Sequence, residues 1–152
     1  MKKLDNKTIV LGIGNNGRQD DGLGWSVLDY LKKQNIIFDL EYRYQLQIED
    51  AELISNYDRV IFVDSTIEET EQGFYLKLCF PSEKYNFSTH ALVPETILYL
   101  SNKLYNRNPE AFIFGIQGYE WNLKIGLSER GFQNFNKAIK YLKKSTLLTI
   151  FD

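Results

Sequence analysis

The sequence predicts an α/β domain in three layers: a mostly parallel, twisted sheet of about five strands, one a candidate for antiparallel pairing, with helices on both faces. Three observations carry that prediction. Short, nearly continuous apolar runs (TIVL at 8–11, RVIFVD at 59–64, AFIFGI at 111–116) suit parallel strands covered on both faces. Stretches with apolar residues three or four apart alternate with them, as amphipathic helices do. A glycine-rich turn joins the first run to the first helical stretch, giving a strand–turn–helix unit. The chain has 152 residues, with no repeat, low-complexity tract or linker, and reads as one domain over residues 1–152.

Each element follows from its own pattern. Residues 8–11 form a buried strand stopped by Gly12. From Gly22 onward, Leu23, Val27, Leu28 and Leu31 keep helical spacing, and Lys32 and Lys33 suit the negative end of the helix dipole. IIFDLEYRY at 36–44 reads as the second strand, and IEDAELIS at 48–55 as a short helix with early acids. After the third strand at 59–64, GFYLKLCF at 73–80 alternates cleanly, which marks a one-faced strand at or near an edge. Pro94 opens a helix running to about Asn106, as proline can in a first turn. The strand at 111–116 precedes a last helix from about Ser128 to Lys144, with Phe132, Phe135, Ala138, Ile139 and Leu142 predicted on its core face. Ten Phe, ten Tyr and two Trp predict a core filled by rings more than by aliphatic side chains.

Bulk properties exclude several function classes. A net charge of −2 leaves no basic footprint for nucleic acid. The apolar run after Lys2 and Lys3 is too short for a signal core or a membrane span. The single cysteine, Cys79, has no internal disulfide partner, and the expected compartment is the reducing cytoplasm. Cys79 lies on an apolar strand face and is expected to pack there.

The glycine turn has two readings. Gly12, Gly14 and Gly17 spell G-x-G-x-x-G, and Asp39 or Glu41 lies about twenty residues on, where a dinucleotide fold places its ribose-binding acid. Against this, Asp20 and Asp21 stand at the expected helix start and would repel the phosphate that needs that helix dipole. The plainer alternative is that either aspartate is a helix cap, which needs only one carboxylate. Gly22 and Gly24 leave the other without bulky neighbours, as suits a residue facing a substrate channel.

Ligands of open parallel sheets bind at the carboxyl ends of strands. The polar residues expected there are Asp20 and Asp21 after the first strand, Asp64 ending the third, and His90, the chain's one histidine. Two carboxylates and an imidazole can hold a borderline divalent ion such as nickel, zinc or manganese, with a position left open for chemistry. Each residue alone has a plainer reading, as a cap or a packed side chain. Ser65 or Ser88 with His90 and Asp64 gives a weaker hydrolase reading, since no G-x-S-x-G elbow is present and Ser88 lies too near His90 in sequence.

At these residues the chain resembles a known family. Gly12-Ile13-Gly14-Asn15 followed by Asp20-Asp21-Gly22-Leu23-Gly24 is similar to the amino-terminal signature of the nickel–iron hydrogenase maturation endopeptidases. Tyr44-Gln45-Leu46, Val63-Asp64, Ser88-Thr89-His90-Ala91-Leu92 with Pro94, Phe114-Gly115-Ile116-Gln117 and Gly126-Leu127-Ser128-Glu129 follow in order, over residues 7 to 145. The resemblance implies an aspartic-type endopeptidase that removes a C-terminal extension from the hydrogenase large-subunit precursor after nickel insertion. It implies Asp21, Asp64 and His90 as the metal-contacting and catalytic residues, with Gly14, Asn15, Asp20, Gly22 and Gln117 shaping the cleft and Glu120 a weaker candidate for its rim. Nickel would arrive with the substrate, with zinc or cadmium as substitutes in vitro, and no cofactor of its own is implied. This sequence departs from the family pattern at three points: aspartate where glutamate is common at the first site, a polar Asn16-Gly17-Arg18-Gln19 loop, and no proline after Gln117. These departures bear on which precursor is recognised.

Overall fold

The computed structural model describes residues 7–83 and 92–145. Five strands form one sheet: β1 (Thr8–Ile13), β2 (Asp39–Arg43), β3 (Arg59–Thr66), β4 (Phe74–Leu78) and β5 (Glu110–Gln117), in the order β2-β1-β3-β5-β4. All pairings are parallel except β4 with β5, so the alternating 73–80 segment is the antiparallel edge strand. Four helices cover the sheet: α1 (Leu23–Lys32), α2 (Glu49–Ile54), α3 (Pro94–Tyr105) and α4 (Glu129–Lys144).

Strand alternation divides the core into two. Val10, Ile61, Val63, Phe114 and Ile116 face α1 and α4, where Leu23, Val27, Leu28, Leu31, Ala138, Ile139 and Leu142 meet them. Ile9, Leu11, Ile13, Val60, Phe62 and Ala111 face α2 and α3, against Ala51, Ile54, Ile97 and Leu98. Cys79 packs in this second cluster, buried as expected. The predicted helices and strands are all present, and their ends follow their partners. The second strand starts at Asp39, which pairs with Ile9 of its neighbour β1. The third continues through Ser65 and Thr66 because β5 runs alongside as far as Gln117.

Two expectations are corrected. The core is aliphatic: among the described residues the largest fully buried side chains are Phe62 and Phe114, and the others are Leu and Ile. Tyr42 and Tyr57 sit where their hydroxyls find partners, on Asp29 (2.6 Å) and Asp39 (2.5 Å). Phe132 is half exposed and stacks loosely on Phe135 instead of entering the core.

The sheet places the site. β1 leads through α1 to β2 on one side, whereas β3 lies on its other side, so the chain's direction of travel reverses between β1 and β3. A crevice opens beyond the carboxyl ends of strands at such a switch point.

Candidate functional site

The residues after β1 turn sharply into the crevice. Gly14 adopts φ +143°, and a Cβ there would lie 2.0 Å from the Asp21 carbonyl oxygen. Only glycine allows that approach. The turn is closed by the Asn15 amide donating to the Asp21 carbonyl (3.0 Å) and the Gly17 amide donating to Asn15 Oδ1 (2.8 Å). Gly22 lets the chain pass close to Asn16, 2.8 Å from where a Cβ would sit to its Cα. Gly24 is the closest point of α1 to the sheet, since a Cβ there would lie 2.6 Å from the Val63 carbonyl and 2.7 Å from that of Ile13. Gly24 therefore fills the helix-packing place that a dinucleotide fingerprint gives to its third glycine, and Gly17 does not.

Neither aspartate caps α1. The residues before it, Gln19–Gly22, form a 3-10 turn, and the N-cap position is Gly22, with no side-chain cap bond. The two acids point to opposite ends. Asp20 is fully buried and accepts from the amides of Tyr119 (2.7 Å), Glu120 (3.1 Å) and Ser128 (2.8 Å) and from the Ser128 hydroxyl (2.6 Å). Burial alone would raise its pKa, but these bonds outweigh it and hold the carboxyl below the ordinary range.

Asp21 faces the crevice. It lines a cleft of about 310 Å³ with Asp64, over walls made by Ile13, Tyr44, Leu46, Leu92, Val93 and Pro94. Burial raises the Asp21 carboxyl, against the Arg18 charge, the Asn15 amide and the nearby Ser65 hydroxyl, which lower it. Asp64 lies in β3, and its Oδ1 accepts from the Ser65 amide (2.7 Å). Burial, joined by the negative charge of Asp21, pushes its carboxyl up to about 7 although the Ser65 amide works the other way. The structure thus brings together two half-buried acids of unequal proton affinity in an apolar-walled cleft. Such a pair favours a cation or a shared proton, because both charges relieve the other's repulsion only through a positive partner.

Other predicted site residues are distributed around this pair. Gln117 ends β5, but its Oε1 accepts from the Thr70 amide (2.9 Å) and hydroxyl (3.0 Å), so it secures the 67–73 loop and does not line the cleft. Glu120 is exposed and accepts from Gln19 Nε2 (3.3 Å). His90, with Ser88, lies outside the described residues; among the described ones no cluster of three or more His, Cys, Asp and Glu is present. The hydrophobic walls were missed as site residues, although Tyr44 to Leu46 follow β2 and so share the carboxyl end of the sheet. Tyr44 is 69% exposed, with its ring 5.1 Å from that of Trp25, whose Nε1 donates to the Arg43 carbonyl (3.0 Å).

Comparison with solved structures gives the same architecture. The NiFe hydrogenase maturation protease HycI of Thermococcus kodakarensis superposes with a TM-score of 0.69 at 21% identity, over 90% of each chain. The Escherichia coli hydrogenase maturating endopeptidase HybD superposes at 0.66 and 16% identity, over 90% of this chain and 89% of the other. This chain has the fold of the hydrogenase maturation proteases. In sequence, it is 28% identical over 157 aligned positions to a Methanocaldococcus jannaschii protein whose own assignment as a hydrogenase maturation protease is provisional, covering 93% of this chain and 96% of that one. No protein-family profile matches. The ordered motifs from Gly12 to Glu129, the pairwise relative and the fold all agree on the hydrogenase maturation protease likeness. Among the described residues of this protease fold, no helix is long and apolar enough to cross a membrane.

Proposed function

We propose that this chain is an endopeptidase that removes the C-terminal extension of a nickel–iron hydrogenase large-subunit precursor after nickel has been inserted. The observation that carries the reading is the convergence of Asp21 and Asp64, from two different strand ends, on one cleft at the switch point of a hydrogenase maturation protease fold. The M. jannaschii relative, matched over nearly its whole length and provisionally named a hydrogenase maturation protease, supports the protease part of this reading. His90 belongs to the proposed ligand set. Leu92 lines the cleft beside Asp21 and Asp64 and is two residues from His90 in sequence, a separation that spans at most about 7 Å of extended chain.

Nickel is part of the substrate in this reading, carried by the precursor and recognised by Asp21, Asp64 and His90. The fit rests on the donor chemistry: two acids held in an apolar cleft, each raised by burial, which destabilises its charged form, gain from a cation placed between them. A bound ion would supply Lewis-acid polarisation at the scissile peptide. The chain's own residues supply position and proton transfer. Asp21 and Asp64 fix the approach of the scissile segment, which is where much of a hydrolase's advantage arises. Asp64, poised at about 7, can hold or release a proton at neutral pH, as a general acid or base must. Recognition of the nickel-loaded state makes cleavage a checkpoint on metal insertion.

The test is to mix the purified protein with nickel-loaded and nickel-free precursor and follow the large subunit by mass spectrometry. Cleavage of the loaded form alone is the expected result, and processing indifferent to nickel would sink the checkpoint. Asp21→Asn, Asp64→Asn and His90→Ala should each abolish processing in a folded protein. Precursor binding without cleavage by the unmodified chain would assign it a scaffolding role instead.

A further inference from the structure

The turn that presents Asp21 is joined to the connection between β5 and α4, about a hundred residues on. The Gln19 amide donates to the Lys124 carbonyl (2.8 Å), the Asp20 amide to the Glu120 carbonyl (3.0 Å), and the Asn122 amide to Gln19 Oε1 (3.0 Å). Asp20 accepts four more bonds, two of them from Ser128. Gln19 holds a left-handed backbone (φ 46°) between these contacts, a conformation a non-glycine residue keeps only where its surroundings impose it.

Two glycines are shaped to this one carboxylate. A Cβ on Gly131 would lie 2.4 Å from Asp20 Oδ1, and one on Gly118 would lie 2.7 Å from Asp20 Cβ. The Ser128 hydroxyl serves two partners. It donates to Asp20 Oδ2 (2.6 Å) and accepts from the Gly131 amide (3.0 Å) as the N-cap of α4. A fully satisfied buried carboxylate of this kind fixes one geometry where an apolar side chain would pack more cheaply in several. Asp21, the next residue, has no bond to α4 of its own. Its amide donates to the Arg18 carbonyl (3.1 Å) and its carbonyl accepts from the Asn15 amide, so the backbone that carries it follows where Asp20 is held, while the Ser65 hydroxyl of β3 bonds its carboxylate.

We propose that Ser128 is a positioning residue for Asp21, acting through Asp20. Helix α4, which contributes no residue to the lining of the cleft, thereby sets the location of a site acid. The mechanical link stands on the hydrogen bonds; its consequence for processing rests on the proposed function above.

The test compares Ser128→Ala, Ser128→Thr and a control, Leu142→Ala, which weakens α4 packing away from the join. Amide hydrogen exchange is read first. In Ser128→Ala, the amides of Asn15, Gln19, Asp20 and Asp21 should exchange about tenfold faster or more, the effect of losing one hydrogen bond to a charged group, while Val10 and Ile61 stay as in the unmodified protein. Ser128→Thr keeps the hydroxyl and should restore protection, and Leu142→Ala should spare the turn. Titration with Ni2+ alone and processing of the loaded precursor follow. Ser128→Ala should weaken Ni2+ affinity and lower kcat by about tenfold each with KM within about threefold, the pattern of a displaced catalytic group. If Ser128→Ala does not fold, Gly131→Ala displaces the same carboxylate and is read the same way. Exchange at the turn that is unchanged in Ser128→Ala, or equally fast in Leu142→Ala, overturns the proposal. An unmodified protein that never processes precursor would overturn the function alone, since the exchange result still decides the link.

Discussion

Replacing Asp64 by asparagine removes the charge that the cleft holds out of water and leaves the side chain's shape. The asparagine oxygen can still accept from the Ser65 amide, which reaches Asp64 Oδ1 at 2.7 Å. Burial and the charge of Asp21 raise the Asp64 carboxyl from 3.8 to about 7 in the folded protein. Between these values the folded chain keeps a proton that the unfolded chain has released. Stability therefore falls as pH rises from about 4 to about 7 and is level above that window. A gap of about three pH units at about 1.4 kcal/mol each gives about 4 kcal/mol. Water at the open mouth of the cleft screens part of this, so the expected loss is about 2–4 kcal/mol. Urea unfolding of both proteins from pH 4 to 8, followed by tryptophan fluorescence and extrapolated linearly, measures it. The two stabilities should agree near pH 4 and separate until pH 7, with Asp64→Asn the more stable. A difference that is independent of pH, or that favours the unmodified protein at pH 8, would refute the reasoning.

Four further outcomes are expected. Asp20→Ala leaves the amides of Tyr119, Glu120 and Ser128 without their acceptor and should cost at least about 3 kcal/mol by denaturant unfolding. Because the folded Asp20 carboxyl is held below 3.8, its stabilisation should be present above about pH 4 and fade as acid titrates it, so the cost of Asp20→Ala shrinks at low pH. Gly131→Ala would normally stabilise a helix by up to about 1 kcal/mol, but here it should destabilise, because the new Cβ meets Asp20 Oδ1; a rise in Tm would contradict the crowding. Phe132→Ala should change stability by less than about 0.5 kcal/mol, and Leu142→Ala should cost about 2–4 kcal/mol, a contrast that calorimetry resolves.

Features set by neighbours in sequence were readable, and features set by distant partners were not. The strands at 8–11, 59–64 and 111–116 are short buried runs, and each forms the strand it spells because both its faces are covered. That Asp21 and Asp64 share one cleft was legible because both lie toward the carboxyl ends of strands, a rule that needs only the order of elements. The inward turn of Asp20 had no such local sign, since its donors at Tyr119, Glu120 and Ser128 lie about a hundred residues away. Phe132 keeps a three-residue step to Phe135 but lies to the side of the face that Gly131, Asn134, Ala138 and Leu142 bury, so periodicity overstated the buried face. Gln117 ends a central strand as a cleft residue would, yet the Thr70 loop folds over it and takes its acceptor.

The glycine turn shows how a crevice of nucleotide type comes to display the opposite charge. A phosphate site offers free backbone amides at the start of a helix, with glycines that let the ligand approach. Here the amides of Asn15, Gln19, Asp20 and Asp21 are all committed to carbonyls of the protein. The open face that Gly14 provides is filled by the Asp21 carbonyl, not by a ligand. What the turn exposes to the cleft is a carboxylate, a few residues of chain from where a phosphate would have been held, and a second carboxylate from β3 faces the same space. A Gly14→Ala substitution separates the two roles. If the glycine cleared space for phosphate, the change would abolish a measurable nucleotide affinity. If it seats Asp21, the unmodified protein binds no nucleotide, and the substitution weakens Ni2+ binding, because the clash at 2.0 Å can be relieved only by moving the acid's own backbone.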